Sequence, residues 1–583
     1  MISDAILSLA KKWQSLDNTP NHAEIIEAKI TAKDTLWLQE AFGERVGFGT
    51  AGLRAEMGPG IARMNRGVVQ QTSLGIANYL QSQSSNNSVV IGYDARHNSK
   101  QFAIDAAQVF AKAGIRVHLF DILCATPMLS FAVLHLGCSA GVMITASHNP
   151  AADNGYKVYW RDGAQIISPH DVNISKHIDA VAEIAVWKEM NLQNTSNITD
   201  IAHMVNIVDN ATISQYFSSI QRLRVGRHTG ATIVYSAMHG VGQYWVQRAL
   251  EEAGHTMHTV PAQAEPNGDF PTVQFPNPEE PGALDLSMEL ANAIHADVVL
   301  ANDPDADRLA VAIRTLQGDS WLRLTGDQVG LLLADYLLSE GKYTEQLMVA
   351  CSLVSSSQLR DIAEYYKASY AETLTGFKWI AAEAITHEQN ANHRFVMGFE
   401  EALGYCIGSV ARDKDGVSAV LVFADLVSML KSQSKTIWDA LIAIYQRHGL
   451  ALSMQKSLTK KGLQGQAEIA NIMKTFRENP PSTIAGTTVL HLRDYQAQIT
   501  QHFTTDANGN RQVNQTAITL PKSNVLAFDL ADKSRVIVRP SGTEPKIKFY
   551  FEARTNIADS TEFSEKSAIV QARLQELWNA MSI

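Results

Sequence analysis

A strand–helix–strand pattern runs three times through this chain, and each copy closes with a strand that feeds straight into a polar loop. The copies open at Ser88–Asp94 (SVVIGYD), Ala231–Ser236 (ATIVYS) and Leu347–Cys351 (LMVAC). Helix-like segments follow, such as Gln101–Ala113 and Gln243–Ala253, and then a further strand, for example Ile115–Phe120 (IRVHLF). The closing strands are Gly141–Ile144, Asp297–Leu300 and Arg394–Met397. Strands alternating with helices predict α/β units with largely parallel pairing. In such sheets ligands bind outside the carboxyl ends of the strands, so chemistry is expected in the three closing loops. The copies share a pattern and not a close sequence identity, so three unrelated α/β segments form a second reading of it.

The flanks differ. Residues 1–45 read as two helices, with Ser3 as N-cap of the first and Pro20–Asn21 between them. Lys456–Gln466 is polar and contains glycine, which reads as a linker. Beyond it come a helix and the strands Thr488–Leu492, Asn524–Asp529 and Arg535–Val538, with a turn cluster at Asp506–Arg511 (DANGNR). This predicts a smaller α+β domain. At roughly 150 residues per domain, the 583 residues suggest about four domains. A single core is not expected, because cores stop growing near ~250–300 residues.

With 49 Lys+Arg against 59 Asp+Glu the formal net charge is −10. That disfavours nonspecific binding to nucleic acid or anionic membranes, and leaves phosphate binding to a local basic pocket. Cys124, Cys138, Cys351 and Cys406 show no CxxC spacing, which argues against a disulfide scaffold and a zinc knuckle. The apolar stretch Ala5–Ala10 is broken by Ser8 and followed by Lys11 and Lys12, unlike a signal peptide. Val329–Leu338 is interrupted by Asp335 and too short to span a bilayer. A cytoplasmic protein is the expectation.

The first loop is TASHNP, Thr145–Pro150, continuing to Lys157. Ser147 at a strand end is a candidate nucleophile, but the setting is not the G-x-S-x-G elbow of acyl hydrolases. A capping turn built from Ser and Asn is the other reading. The second loop, Asn302–Arg308 (NDPDADR), places Asp303, Asp305 and Asp307 at i, i+2 and i+4. Three carboxylates so close repel one another unless a cation sits among them, and oxygen ligands favour Mg²⁺, Mn²⁺ or Ca²⁺. The apolar residues on both sides pin the loop ends into a core, which disfavours a solvated acidic turn. It is not an EF-hand, since no glycine follows Asp307. The third loop, Gly398–Tyr405 (GFEEALGY), offers paired glutamates suited to sugar hydroxyls. A helix N-terminus rich in acid is the alternative. Two further segments suit a phosphate dianion through hydroxyls, glycine amides and an arginine fork: Phe48–Arg54 (FGTAGLR) and Arg539–Lys548 (RPSGTEPKIK). Neither is a Walker A loop.

Five motifs in this order, FGTAGLR, TASHNP, DPDADR, GFEEALG and RPSGTEPKIK, resemble the α-D-phosphohexomutase superfamily of phosphoglucomutases and phosphomannomutases. The resemblance runs from about residue 40 to the C-terminus. It implies three related α/β domains with mixed sheets and a fourth, α+β domain like the TATA-box-binding protein, arranged around one cleft. The limits would be 1–208 (phosphoserine), 209–322 (metal), 323–452 (sugar) and 453–583 (phosphate). Residue by residue, it implies that Ser147 carries a phosphoryl group. Asp303, Asp305 and Asp307, with the phosphorylated Ser147, would hold one Mg²⁺, and Arg308 would steady the phosphoserine. Arg54, His148 and Lys157 would line the catalytic centre, with His148 or Lys157 aiding proton transfer. Gly376, Phe377, Lys378 and Glu400 would contact the sugar, and Lys414, in the KDG segment, is an acid/base candidate beside it. Arg539, Ser541, Gly542, Thr543 and Lys548 would hold the non-reacting phosphate.

The implied reaction interconverts glucose 1-phosphate and glucose 6-phosphate through a glucose 1,6-bisphosphate, which also serves as activator. The implied partner is a small sugar phosphate, with no nucleic acid and no membrane, in a monomer or small homo-oligomer. Two departures bear on the sugar. Ala402 stands where many members have serine, and Ala51 where phosphoglucomutases often do. The form GFEEALGY is similar to the subgroup of phosphopentomutase-type and glucose-1,6-bisphosphate-synthase-type enzymes with many bacterial phosphoglucomutases. Mannose and pentose phosphates are therefore the alternatives. A metal-dependent phosphatase and a non-catalytic sugar-phosphate binder are the rival classes.

Overall fold

The structure is a computed structural model that describes residues 3–15, 17, 19–49, 52–183, 202–318, 320–390, 392–460, 462–506, 511–541 and 546–582. The chain forms two compact units, Met1–Leu324 with Ala402–Ser432, and Thr325–Glu401 with Gln433–Ile583.

In the first unit a sheet runs in the order Gly52–Glu56, Asp153–Trp160, Ala140–Ile144, Ser88–Tyr93, Arg116–Leu119, Val205–Ile207. Its centre is parallel, as the crossover helices Ser99–Lys112 and Thr126–His135 require. Asp153–Trp160 pairs antiparallel on both sides, so the sheet is mixed. The central strands carry no exposed residue, the mark of a sheet covered on both faces. A second sheet runs Trp321–Arg323, Ala310–Arg314, Val298–Ala301, Thr232–Ser236, Thr256–Thr259, again with a parallel centre. Helix Gly416–Ser432, buried through Leu430, packs against helix Gly242–Ala253 of this unit.

The N-terminal region holds three helices, Asp4–Gln14, His22–Thr31 and Thr35–Phe42, and not the expected two. Lys33 takes a left-handed φ of 52°, and the Asp34 carboxylate then caps a new helix by accepting from the Trp37 amide at 3.1 Å. Ser3 does cap the first, accepting from Ile6 N at 3.3 Å.

In the second unit, strands Ser369–Thr373, Gln346–Ser352 and His393–Glu400 pair in parallel. The apolar run at 329–338 is the core of helix Gly326–Glu340, which Thr325 and Gln328 close with reciprocal capping bonds. An antiparallel sheet follows, in the order Leu450–Thr459, Lys546–Thr555, Arg535–Pro540, Leu526–Leu530, Thr487–Asp494, Ile499–Thr505, Arg511–Ala517. The expected linker at Lys456–Gln466 is corrected by this sheet. Lys456–Thr459 are strand, paired with Lys546–Phe549, and helix Gly462–Glu478 begins soon after. Polar side chains misled because Lys456, Ser457 and Thr459 of that strand are all exposed. The expected turn at Asp506–Arg511 lies largely outside the described residues. Among the described residues no single helix is long and apolar enough to cross a membrane.

Candidate active site

Three loops at strand ends meet in the first unit. Ser147 follows strand Ala140–Ile144 with φ of 52°, held there because its amide donates to Thr145 Oγ1 at 2.8 Å. The buried Ser147 hydroxyl donates to Asp303 Oδ2 at 2.7 Å and lies 3.2 Å from His148 Nδ1. Asp303, Asp305 and Asp307 are all buried, with one carboxylate oxygen of each within 4.8 Å of the others. The turn that converges them needs a left-handed residue, Ala306, at φ 56°. Gly416 of the KDG segment packs beneath it, where a Cβ would sit 2.4 Å from the Arg308 carbonyl oxygen.

Cations surround the carboxylates. Lys157 Nζ lies 2.7 Å from Asp305 Oδ2 and 3.0 Å from Asp307 Oδ2, and Lys414 Nζ is 3.2 Å from the same Asp307 oxygen. Arg308 donates its amide to Asp303 Oδ1 at 3.0 Å and its Nη1 to Glu279 at 3.3 Å. Arg54, on the strand beside Asp153–Trp160, donates to Asn149 Oδ1 at 2.9 Å. Burial, then Asp307 and Asp305, push Asp303 well above the usual carboxylate range. Burial acts the same way on Asp307, but Lys157, Lys414 and Arg308 outweigh it and hold that carboxyl low. Burial also works against the Lys157 ammonium, and Asp305 and Asp307 overcome it, so its pKa lies above that of free lysine. His148 is pushed down to about 2 by burial, with Arg308 and Arg54 adding to the effect, so its imidazole is neutral.

The residues fit a hard divalent cation. Every donor is oxygen, and Asp305 Oδ1 and Asp307 Oδ1 are buried with no hydrogen-bond partner among the described residues.

Several residues essential to this geometry escaped sequence reasoning. Arg96 is buried and donates to the main-chain carbonyls of Ser147 at 2.7 Å, Asn149 at 2.5 Å, Pro150 at 2.7 Å and Asp153 at 3.1 Å. Thr126 Oγ1 donates to Asp305 Oδ2 at 2.7 Å. Buried Asp413 accepts from Tyr159 and Gln165, each at 2.7 Å, and lies 3.3 Å from Lys414 Nζ. A charged pair flanking a strand end, as in Asp94-Ala-Arg96, was the one available signal.

The second unit holds the remaining sequence-predicted residues. Glu400 ends strand His393–Glu400 and accepts from the Gly376 amide at 2.7 Å, so these two are brought together. Gly376 has φ of 117°, a conformation that favours glycine. The Glu400 segment is strand end and turn, not a helix N-terminus. Phe377 is 3% exposed and contributes its ring to the core, whereas Lys378 lies 5.3 Å over the Trp379 ring. Arg539 and Lys548 sit opposite each other on adjacent antiparallel strands. Ser541 follows, its amide donating to the Lys546 carbonyl at 2.7 Å. Burial raises the Tyr550 phenol, and Glu401, Arg539 and Glu400 all act on it. Gly542, Thr543 and Ala51 lie outside the described residues.

Comparison with known proteins agrees along the chain. Residues 45–185, 214–318 and 325–448 match the phosphoglucomutase/phosphomannomutase alpha/beta/alpha domains I, II and III, and residues 495–562 match the C-terminal domain. The chain is 37% identical to a probable phosphoribomutase of Schizosaccharomyces pombe, over 99% of this chain and 98% of that one. It is 41% identical to a probable phosphomannomutase of Haemophilus influenzae, covering 84% and 93%. It is 37% identical to a phosphoglucomutase of Staphylococcus aureus, covering 88% and 90%. The fold is similar to that of a phosphoglucomutase/phosphomannomutase family protein from Burkholderia thailandensis, with TM-score 0.65 at 17% identity over 92% and 96% of the chains. The enzymes of this family depend on Mg²⁺. The four domain matches and the end-to-end identity place the chain in the phosphoglucomutase/phosphomannomutase family of α-D-phosphohexomutases, as an isomerase that transfers a phosphoryl group within its substrate.

Proposed function

We propose that the protein is a phosphoglucomutase that interconverts glucose 1-phosphate and glucose 6-phosphate through a phosphorylated Ser147 and a glucose 1,6-bisphosphate. The observation that carries this reading is the 2.7 Å bond from Ser147 Oγ to Asp303 Oδ2, which sets the hydroxyl against three converging carboxylates. In the forward half, the bond from Ser147 Oγ to phosphorus breaks and a bond from a sugar oxygen to phosphorus forms. The sugar hydroxyl gives up its proton to a group of the loop. We assign this proton transfer to His148, which is neutral and so able to accept, or to Lys157, which as an ammonium can only donate to the departing oxygen. The return half repeats the chemistry at the other end of the sugar, and the same bisphosphate serves as activator.

Asp303, Asp305, Asp307 and the phosphorylated Ser147 would hold one Mg²⁺, which when bound neutralises charge on the transferring group. Arg308 and Arg54 would stabilise that group in flight. Glu400, with Gly376 and Lys378, would hold sugar hydroxyls, and Lys414 is a further acid/base candidate. Arg539, Ser541, Gly542, Thr543 and Lys548 would take the phosphate that does not react.

A second reading, a phosphopentomutase, is favoured by the relative that aligns end to end and is named a probable phosphoribomutase. The deciding experiment measures kcat/KM for glucose 1-phosphate, mannose 1-phosphate and ribose 1-phosphate, each with its own bisphosphate primer. The highest value is expected for glucose. A tenfold or greater preference for ribose or mannose would replace the first reading.

A further inference from the structure

The second unit carries a concentration of positive charge apart from the Arg539 loop. A cavity of about 480 Å³ is lined by Arg360, Arg493, Lys533, Arg535 and Arg554. Against these five cations stand four carboxylates: Asp361 and Asp529 on the wall, and Glu372 and Glu552 behind it. The carboxylates are already engaged by guanidinium groups. Glu372 accepts from Arg493 and, at 3.1 Å, from Arg535, with Arg360 at 3.8 Å. Glu552 and Asp361 take Arg554 at 3.2 and 2.5 Å, and Asp529 takes Arg493 at 3.1 Å. These bonds fix the arginine forks while leaving positive charge in excess. Lys533 has no ion-pair partner among the described residues, and the Arg360 side chain is 56% exposed.

Further polar groups line the cavity. His491 and His502 stand on the same wall with their Nδ1 atoms 3.1 Å apart, one donating and the other accepting. The Nε atoms of Arg493 and Arg535 are buried without a hydrogen-bond partner among the described residues, and Arg535 as a whole is 6% exposed. Hydroxyls of Ser357, Thr500 and Ser534 complete the lining.

The cavity is separate from the substrate-phosphate residues. Arg535 and Arg539 are four residues apart on one strand, roughly 13 Å at the usual rise. Between them Ile537 lies in an apolar cluster with Leu374, Tyr495 and Tyr550. We propose that this cavity is a second anion site, which binds a phosphate-bearing ligand of monoester or diphosphate type through Arg360 and Lys533, with the fixed Arg493 and Arg535 guanidinium groups supplying positive charge behind them. Planar guanidinium forks beside hydroxyls suit phosphoryl oxygens, and the volume lies in the range of small-molecule sites.

The test is calorimetric titration of the full-length protein with inorganic pyrophosphate in metal-free buffer. Replacing both exposed cations (Arg360→Ala with Lys533→Ala) should lower the stoichiometry by one site per chain, or weaken that site at least tenfold. The charge-preserving pair, Arg360→Lys with Lys533→Arg, should retain it. Arg539→Ala should leave the site in place, and thermal melts confirm folding of each variant. Unchanged stoichiometry and affinity in the alanine pair overturns the proposal, as does loss of the same site in Arg539→Ala. The readout is binding and not turnover, so failure here leaves the mutase reading untouched, and failure of that reading leaves this site standing.

Discussion

The Arg96 guanidinium donates to the Ser147 main-chain carbonyl at 2.7 Å, and with its other contacts it holds the whole turn that presents the serine hydroxyl. Asp94 stands 3.6 Å from Arg96 Nε, both side chains fully buried, so the loop rests on an ion pair withdrawn from water.

Arg96→Ala should therefore remove four carbonyl contacts and strand the Asp94 carboxylate. Breaking a buried pair from one side typically costs about 3–5 kcal/mol. Asp94→Asn with Arg96→Ala should recover part of that loss in urea unfolding. Turnover should stay depressed roughly 100-fold in both, because an ångström of misplacement at a reacting atom has that effect. Recovery of full kcat in the double variant would show that Arg96 does not position the loop.

Ser147→Ala should abolish mutase turnover, by roughly 10⁴-fold or more, even at saturating glucose 1,6-bisphosphate. The check is a coupled assay beside incorporation of labelled phosphate into the protein, which should vanish in the variant. Conversion near the wild-type rate would move the reading to a phosphatase-like mechanism acting directly at the carboxylates.

Chelation should remove activity and Mg²⁺ restore it. The two buried oxygens of Asp305 and Asp307 that lack a hydrogen-bond partner among the described residues also imply a stability effect. At a hundredfold excess over its Kd a bound ion adds about 2.7 kcal/mol, visible as a rise in Tm. The rise should be absent in Asp305→Asn. Full activity in excess chelator contradicts the assignment.

In the second unit Asp327 is buried and accepts from Ser356 N at 2.7 Å and from the Ser453 hydroxyl. Burial raises its pKa to about 6. In the unfolded chain the carboxyl ionises near 3.9, so its stability contribution is full below that pH and is lost as pH rises toward 6. Asp327→Asn removes this dependence. Relative to wild type, the variant should gain roughly 2 kcal/mol between pH 4.5 and pH 7. Parallel urea curves with no change in that difference would refute the raised pKa.

The closing strands and the loops after them were legible because the signals are local. An apolar run that ends in NDPDADR both buries the strand and delivers three carboxylates within five residues. Lys157, seven residues beyond the SHNP segment, and Lys414 in KDG were candidates only through the resemblance of the motifs to the family. The third N-terminal helix was missed because its start rests on a single left-handed residue, Lys33. The strand at Leu450–Thr459 was missed because its partners stand about a hundred residues away. Arg96, Thr126 and Asp413 were missed for the same reason, since their contacts join segments 51 to 254 residues apart.

The chain alone therefore determined which chemical groups stand at which strand ends, since short motifs carry that information. Only the tertiary structure decided how those groups act on one another. It set Lys157 and Lys414 on Asp307, left two carboxylate oxygens without a hydrogen-bond partner among the described residues, and made His148 neutral. Charge state and ligand geometry depend on burial and on distance through space, and neither is written in the spacing of residues along the chain.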